Sequence, residues 1–488
     1  MRRCRAMMIL LILTTGGCMV GPNYRKPVVS VPVAYKELPP GEPETGMKWK
    51  AAQPNDSIWR GKWWEIFADP ELNALEEQVR VSNQLIALAE AQYRGARALV
   101  GGVRAGLFPT MSVGASGARS SGNTKGSSSP AGVPQTTVTA YQVPVDFNWE
   151  LDLFGRIRRG IEGSVANAQA SAADLEGVRL SMHAELALDY FLLHGLDAEI
   201  HLMQETVAGY RTALNLTENR YRQGVVSGID VAQAKTQFES TRAVMTDLTI
   251  SRAQLEHALA VLVGKSPQQF AIAPAIVQVK PPEIPVGLPS ELLERRPDIS
   301  AAERRIAAAN AQIGVARAGF FPSLSLFGTG GYQGSVLSDL FSLPNRIWSF
   351  GGSLLETIFT GGKRRAASRQ ALAAYDASVA DYRETVLTAF QEVENNLAAL
   401  RILAEEANYQ SDAVAAAEHS LFLAKNRYLN GITTYFEVVT AQTIALSNER
   451  LAVELLTRQL TASINLIKAL GGGWDGAELP IHDPIPSK

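Results

Sequence analysis

The chain runs to 488 residues, with 46 Lys and Arg against 48 Asp and Glu and a formal charge of −2. So even a balance offers no basic stripe for nucleic acid and no acidic tail that would act as a disordered tether. Its only cysteines, Cys4 and Cys18, exclude a disulfide framework, since Cys4 lies in the leader and leaves a single thiol behind.

Arg2, Arg3 and Arg5 form a basic n-region and residues 7–13 a short apolar core, ahead of Thr14-Thr15-Gly16-Gly17-Cys18. Residues 1–17 therefore read as a secretory signal, too short to span a bilayer as a helix. Small residues before a cysteine resemble the lipobox of bacterial lipoproteins, in which Cys18 becomes the acylated N-terminus. Thr15 stands where leucine is usual, and a plain secretory signal is the alternative. Met19 rather than an aspartate follows, which favours the outer membrane over retention at the inner one.

Residues 18–56, rich in proline and without periodicity, are expected to form an extended strap leading from the anchor. A first structural repeat, 57–266, opens with helical pattern near residues 59–64 and continues from Pro70, a good first-turn residue, to about Arg104. One strand is expected to start at Phe108. A second is the clearest in the chain: Tyr141, Val143, Val145, Phe147, Trp149, Leu151 and Leu153 alternate with Gln142, Pro144, Asp146, Asn148, Glu150 and Asp152. Strict period two separates an apolar from a polar face, as in a membrane-barrel strand or a half-buried strand of a soluble sandwich. The Ser/Gly/Thr-rich stretch 119–139 reads as a mobile surface loop.

Proline then vanishes between residues 145 and 266, and again between 345 and 479. Leu193, Leu196, Ile200, Met203, Val207, Tyr210 and Leu214 step by three and four, a seam for another helix. Val414, Ala417, Leu421, Ala424 and Tyr428 repeat it. A continuous helix over 156–223 would reach roughly 100 Å at 1.5 Å per residue. Gly224 and Gly431 supply turns, and returning helices end near Gly264 and Gly471, so two long antiparallel hairpins are expected. A Pro-rich linker, 267–297, precedes a second repeat, 298–471, and a short tail, 472–488. In that repeat residues 298–319 match the earlier ascending helix, while 321–331 and about 347–359 match the strands, the last alternating poorly.

The duplication is explicit. Ala105-Gly106-Leu107-Phe108-Pro109 recurs as Ala318-Gly319-Phe320-Phe321-Pro322, and Asn219-Arg220-Tyr221-Arg222-Gln223-Gly224 as Asn426-Arg427-Tyr428-Leu429-Asn430-Gly431. Arg158-Arg159 and Arg364-Arg365 lie between. The expected fold is mainly α with a small β part: a tandem repeat with two helical hairpins and four strands. Four strands cannot close a membrane barrel, since the smallest known have about eight. An open edge in lipid leaves backbone groups unpaired. Copies of the chain are therefore expected to pool their strands in a closed ring around a channel.

Trp63-Trp64 with Phe67, Asp69-Pro70 and Leu72 resembles the opening signature of the TolC-type outer-membrane efflux factors. So does Arg295-Arg296-Pro297-Asp298-Ile299 with Ala301-Ala302-Glu303, and so does Ile313-Gly314-Val315-Ala316-Arg317-Ala318 through Phe321-Pro322. Gly17-Cys18-Met19-Val20-Gly21-Pro22-Asn23-Tyr24 is similar to the start of the lipidated OprM/NodT branch. The resemblance implies a homotrimer with a twelve-stranded outer-membrane barrel and a periplasmic tunnel of twelve helices, without a cofactor. Its partners would be a periplasmic adaptor, or membrane fusion protein, an inner-membrane RND-type transporter and outer-membrane lipid. It implies a gate near the tip: Glu437 where an acid ring is often found, Thr440 where a further acid is common, Tyr428 as an aromatic gate, Phe436 as an apolar constriction, and Asp230 as the first-repeat counterpart of Glu437. Alternatively, Asp230 and Glu437 simply favour a helix N-terminal turn. Gly224, Val225, Gly431 and Ile432 would form the tips that dock the adaptor.

Catalysis finds little support. The histidines, His183, His194, His201, His257, His419 and His482, complete no zinc set with ligand spacing, and no phosphate loop or nucleophile elbow is present. The expected function is a passive exit duct for an efflux pump. The rival is a lipid-anchored periplasmic coiled-coil scaffold that never spans a membrane.

Overall fold

The computed structural model describes residues 19–32, 34–37, 62–122, 136–276, 279–284 and 295–472. The expected signal peptide, the acylation site Cys18, much of the strap and linker, the centre of the Ser/Gly/Thr-rich stretch and all but the first residue of the tail lie outside them.

A 3-10 turn, Trp63–Phe67, buries both tryptophans and Phe67 and leads into helix α1, Pro70–Ser82. Asp69 caps α1, accepting from Glu71 N and Leu72 N. Periodicity suggested one helix to about residue 104. Instead Asn83 leaves helical geometry (φ −68°, ψ 126°) and starts α2, Gln84–Ala105. Its Oδ1 accepts from Leu85 N and Ile86 N, while its Nδ2 donates to Leu262 O. A one-residue break keeps the apolar spacing nearly in phase, so the pattern passes over it.

The sheet contains β1, Thr110–Val113; β2, Ser116–Gly122; β3, Thr136–Leu151; β4, Ser323–Gly334; and β5, Arg346–Leu355. β1 and β2 both pair with β3, then β4 and β5 follow, all antiparallel. Residues 119–122 and 136–139 are strand where composition suggested loop: small polar residues sustain a ladder when a long partner strand supplies the pairing. Register is continuous across the break, with Val113 opposite Val145 and Ser116 opposite Gln142. Pro144, without an N–H, sits opposite that break and accepts from Gly114 N.

The pairing sorts the side chains. Met111, Val145, Phe147, Trp149, Leu324, Leu326, Trp348 and Phe350 share one face, while Ser112, Asp146, Asn148, Glu150, Ser325, Thr329 and Ser349 share the other. Thr329 Oγ1 donates to Asp146 Oδ1 at 2.6 Å on the polar face. β5, which alternates poorly in sequence, keeps the alternation only from Trp348 to Leu354, where Gly351 and Gly352 had disguised it; Ile347 and Leu355 fall on the polar face and Arg346 on the apolar one. Trp348 and Phe350 remain 77% and 70% exposed, so among the described residues nothing covers the β5 end of the apolar face.

The duplication extends to helix length. α3, Arg156–Arg222, and α6, Lys363–Leu429, each have 67 residues. α4, Gly228–Leu262, and α7, Tyr435–Ala469, each have 35. α2 and α5, Pro297–Ala318, each have 22. Gly155 and Gly362 are the left-handed N-caps of the two long helices, so Arg159 corresponds to Ala366. The Arg158-Arg159 and Arg364-Arg365 pairs are therefore one residue out of step.

Beside its sheet-proximal half α3 carries α2 and α5, marked by the Arg179–Glu90 and Arg305–Asp174 ion pairs. Beside its other half it carries α4 and α7, marked by Arg252–Asp197 and Arg450–Glu199. The shorter helices meet end to end: Asn83 joins α4 to α2, and Arg296 Nη1 donates to Ala469 O, joining α7 to α5. The strap seals the upper seam between α3 and α5. Arg159, 1% exposed, donates to Val20 O, Gly21 O and Asn23 Oδ1 and pairs with Glu162, while Asn310 Nδ2 donates to Pro22 O.

At mid-height the principal core surrounds a buried dyad. His183 stacks on Trp64 at 4.5 Å, and its Nδ1 lies 2.6 Å from Glu76 Oε2. Burial holds the Glu76 carboxyl well above its ordinary 4.5. Burial also lowers His183 from 6.5 to about 4, against a smaller upward pull from Glu77. The folded pair thus keeps one proton, shared between an uncharged acid and an uncharged imidazole. Above pH 6.5 the unfolded pair holds none, so stability falls as pH rises for as long as the folded Glu76 keeps its proton. Between 4.5 and 6.5 both states hold one proton and this contribution is flat; below 4.5 the unfolded pair gains a second and stability falls again. The slope approaches about 1.4 kcal/mol per pH unit. Thermal unfolding in detergent is expected to show Glu76→Gln losing the alkaline decline that the parent protein shows.

Candidate functional site

Both hairpins turn on the same device. At the end of α3, Gly224 N donates to Tyr221 O and Val225 N to Arg220 O, each at 2.9 Å. At the end of α6, Gly431 N donates to Tyr428 O at 3.0 Å and Ile432 N to Arg427 O at 2.9 Å. This double closure needs a left-handed residue after the helix, and Gly224 (φ 72°) and Gly431 (φ 74°) provide it without a Cβ clash. Val225 and Ile432 are left 59% and 68% exposed.

The tips lie side by side. The Arg220 guanidinium stands 4.8 Å from the Tyr428 ring centroid and donates to Tyr428 O at 3.4 Å. Tyr428 meets Tyr435 edge-on at 5.2 Å, within a small core that includes Leu214, Ala234 and Val438. Higher up, Gln237 Nε2 donates to Tyr210 Oη at 3.3 Å and to Thr443 Oγ1 at 3.4 Å, linking α4 to α3 and α7. Burial pushes the Tyr435 phenol up to about 12, with Tyr428 and Tyr210 adding to the shift. It stays neutral at any physiological pH.

The two candidate acids differ. Asp230 belongs to a capping box: Ser227 N donates to Asp230 Oδ2 at 3.1 Å, and Ile229 N to Ser227 Oγ at 3.2 Å. Glu437 occupies the same place in α7, yet Thr434 makes no side-chain cap there. Glu437 instead lies 3.5 Å from Arg427 across the turn, both side chains about half exposed. Such a pair is worth at most about 1 kcal/mol. Phe436 is 62% exposed, and the Thr440 hydroxyl is spent on Phe436 O at 2.9 Å.

Tyr428, Phe436, Glu437 and Thr440 therefore gather at one hairpin, with Asp230 at the start of the other. Sequence reasoning missed Arg220, Arg427 and Tyr435 as members of this cluster. Both arginines were visible as equivalent positions of the repeated hexapeptide; only the α3–α6 contact gives Arg220 its ring partner.

Among the described residues no group of histidine, cysteine and acidic side chains could hold a metal ion. Nor, among them, is any helix long and apolar enough to cross a membrane.

The family described as outer membrane efflux protein matches residues 75–265 and 288–472. The chain is 33% identical to the probable efflux pump outer membrane protein TtgC of Pseudomonas putida, over 94% of this chain and 93% of that one. It is 32% identical to outer membrane protein OprJ of Pseudomonas aeruginosa, over 97% of each. The open state of the Neisseria gonorrhoeae MtrE outer membrane channel is similar in structure, with a TM-score of 0.80 at 30% identity, over 93% of this chain and 98% of that one.

Proposed function

The chain belongs to the outer membrane efflux protein family, and from that premise we propose how it assembles and opens. It is the outer-membrane exit duct of an efflux pump, a conduit rather than an enzyme, and most of its mass is periplasmic. The scaffold alternative falls, because its relatives are outer-membrane efflux proteins and channels. Partners upstream are an adaptor and an inner-membrane transporter, which supplies the energy.

Three copies close one barrel and one tunnel. The observation that carries this is the sheet: its apolar face is bare and its polar face carries Asp146, Asn148 and Glu150, in too few strands to close alone. With copies joined edge to edge, the bare face meets lipid and the polar face lines water. Cys18, acylated, anchors the strap in the outer membrane. Selection in such a duct is by size and charge.

The gate lies at the tip, with the exposed Phe436, Glu437 and Thr440 narrowing the passage, Tyr428 buried behind them in the core of one copy rather than facing it, and Gly224, Val225, Gly431 and Ile432 meeting the adaptor. Asp230 serves mainly as a cap. The polar contacts at the tips are weak: Arg220–Tyr428, which ties one hairpin to the other, and Arg427–Glu437, which ties Arg427 to the helix after its own turn, together are worth about 1–2 kcal/mol. Docking can therefore overcome them. In planar bilayers, Arg220→Ala with Arg427→Ala is expected to raise single-trimer conductance or open probability roughly tenfold or more, since each 1.4 kcal/mol is a factor of ten. Parent-like closed behaviour would exclude these contacts as the latch.

A further inference from the structure

The seam between α3 and α5 has a twin at the edges of the chain. α2 matches α5 residue for residue in length, and α6 matches α3. α2 and α6 lie at opposite edges of the helical wall, so in the ring proposed above the α6 of one copy meets the α2 of the next as α3 meets α5. Equal helix lengths give the correspondences: Asn310 with Arg97, Gly314 with Gly101, Arg159 with Ala366, and Glu162 with Arg369.

The substitutions change the chemistry of the seam. Inside one copy, Arg159 is neutralised by Glu162 and buried under the strap, and Asn310 holds Pro22. The twin keeps no acid at those positions and gains Arg97 and Arg369. On α2, Arg94, Arg97, Gly101 and Arg104 line one open groove of about 390 Å³. Arg97 reaches only the Tyr93 ring, and among the described residues none of Arg94, Arg97, Arg104 and Arg369 has an acidic partner. Exposed Lys363 and Arg365 add to the α6 side. The next acid along α6, Asp376, lies about 10 Å down the helix from Arg369.

Height supplies the rest. α2 ends five residues before β1, and between sheet and helices Phe108, Ile358 and Phe359 are exposed by 65%, 97% and 87%. An exposed aromatic belt marks a membrane interface, and a basic pocket beside one suits a phosphate headgroup.

We propose that each seam between copies binds the phosphate of an anionic phospholipid headgroup, where the internal seam holds the strap. Bound there, the lipid joins neighbouring copies. Delipidated protein in neutral detergent would be supplied with phosphatidylglycerol, phosphatidylcholine or inorganic phosphate, and the temperature at which the oligomer dissociates read on semi-native gels. Phosphatidylglycerol is expected to raise it and phosphatidylcholine not. Arg97→Gln with Arg104→Gln should lose the rise, and Arg369→Glu, which restores the acid of the internal seam, should give an oligomer stable without lipid. A double variant responding like the parent, or equal responses to both lipids, would overturn the proposal. An equal response to phosphate alone would replace the lipid with a free anion. A parent protein monomeric under every condition would instead refute the ring on which the seam rests.

Discussion

Val225→Asp together with Ile432→Asp is expected to reduce export to the level of a strain lacking the protein, while the heat-modifiable oligomer still reaches the outer membrane. Both side chains project from turns closed by backbone hydrogen bonds in which neither side chain takes part, so folding is spared. Burying a valine or isoleucine against a partner contributes about 1.5–3 kcal/mol, and an aspartate there adds the cost of an unpaired buried charge. Two such positions in every copy would leave no affinity for an adaptor. A complementary measurement uses single cysteines at Val225 or Ile432. If Cys18 is acylated and the leader removed, as proposed, the mature chain has no other thiol, and crosslinking from the tip would identify what docks. Undiminished export by the double variant would remove the tips from the docking surface.

Gly331→Val is expected to abolish the oligomer altogether. Gly331 faces Pro144 across the β3–β4 ladder, and a Cβ there would lie 2.2 Å from Val143 O and 2.9 Å from Pro144 Cα. Both obstacles are backbone and cannot swing aside. Separating β3 from β4 would expose a row of N–H and C=O groups to lipid at several kcal/mol each. Gly330→Val is the control: its Cβ would meet nothing within 4 Å, and it shares the bare apolar face. Semi-native gels of outer-membrane fractions should show the oligomer for Gly330→Val and none for Gly331→Val.

The long elements were legible because their signals are long. Heptad spacing from Leu193 to Leu214, the absence of proline and the two turn glycines locate α3, α4, α6 and α7 to within a few residues. The faces of β3 were legible from period two. What escaped notice was decided by single residues or by partners distant in sequence. Asn83 breaks a helix because it can bond Leu262, which no local pattern reports. The alternation of residues 348–354 in β5 appears only through their register with β4. Asp230 and Glu437 occupy equivalent places, yet Ser227 reciprocates one as a capping box and Thr434 leaves the other to Arg427. Spacing cannot separate those outcomes; side-chain geometry does.

The end-to-end joints carry a mechanical consequence. Each lies beside an unbroken 67-residue neighbour, as bricks in one course bridge the gaps in the next. Axial load therefore passes the level of the joints in α3 and α6 without meeting a discontinuity. Torque applied below is met differently: the jointed columns can swivel on Asn83 and Arg296, while the continuous rods must bend.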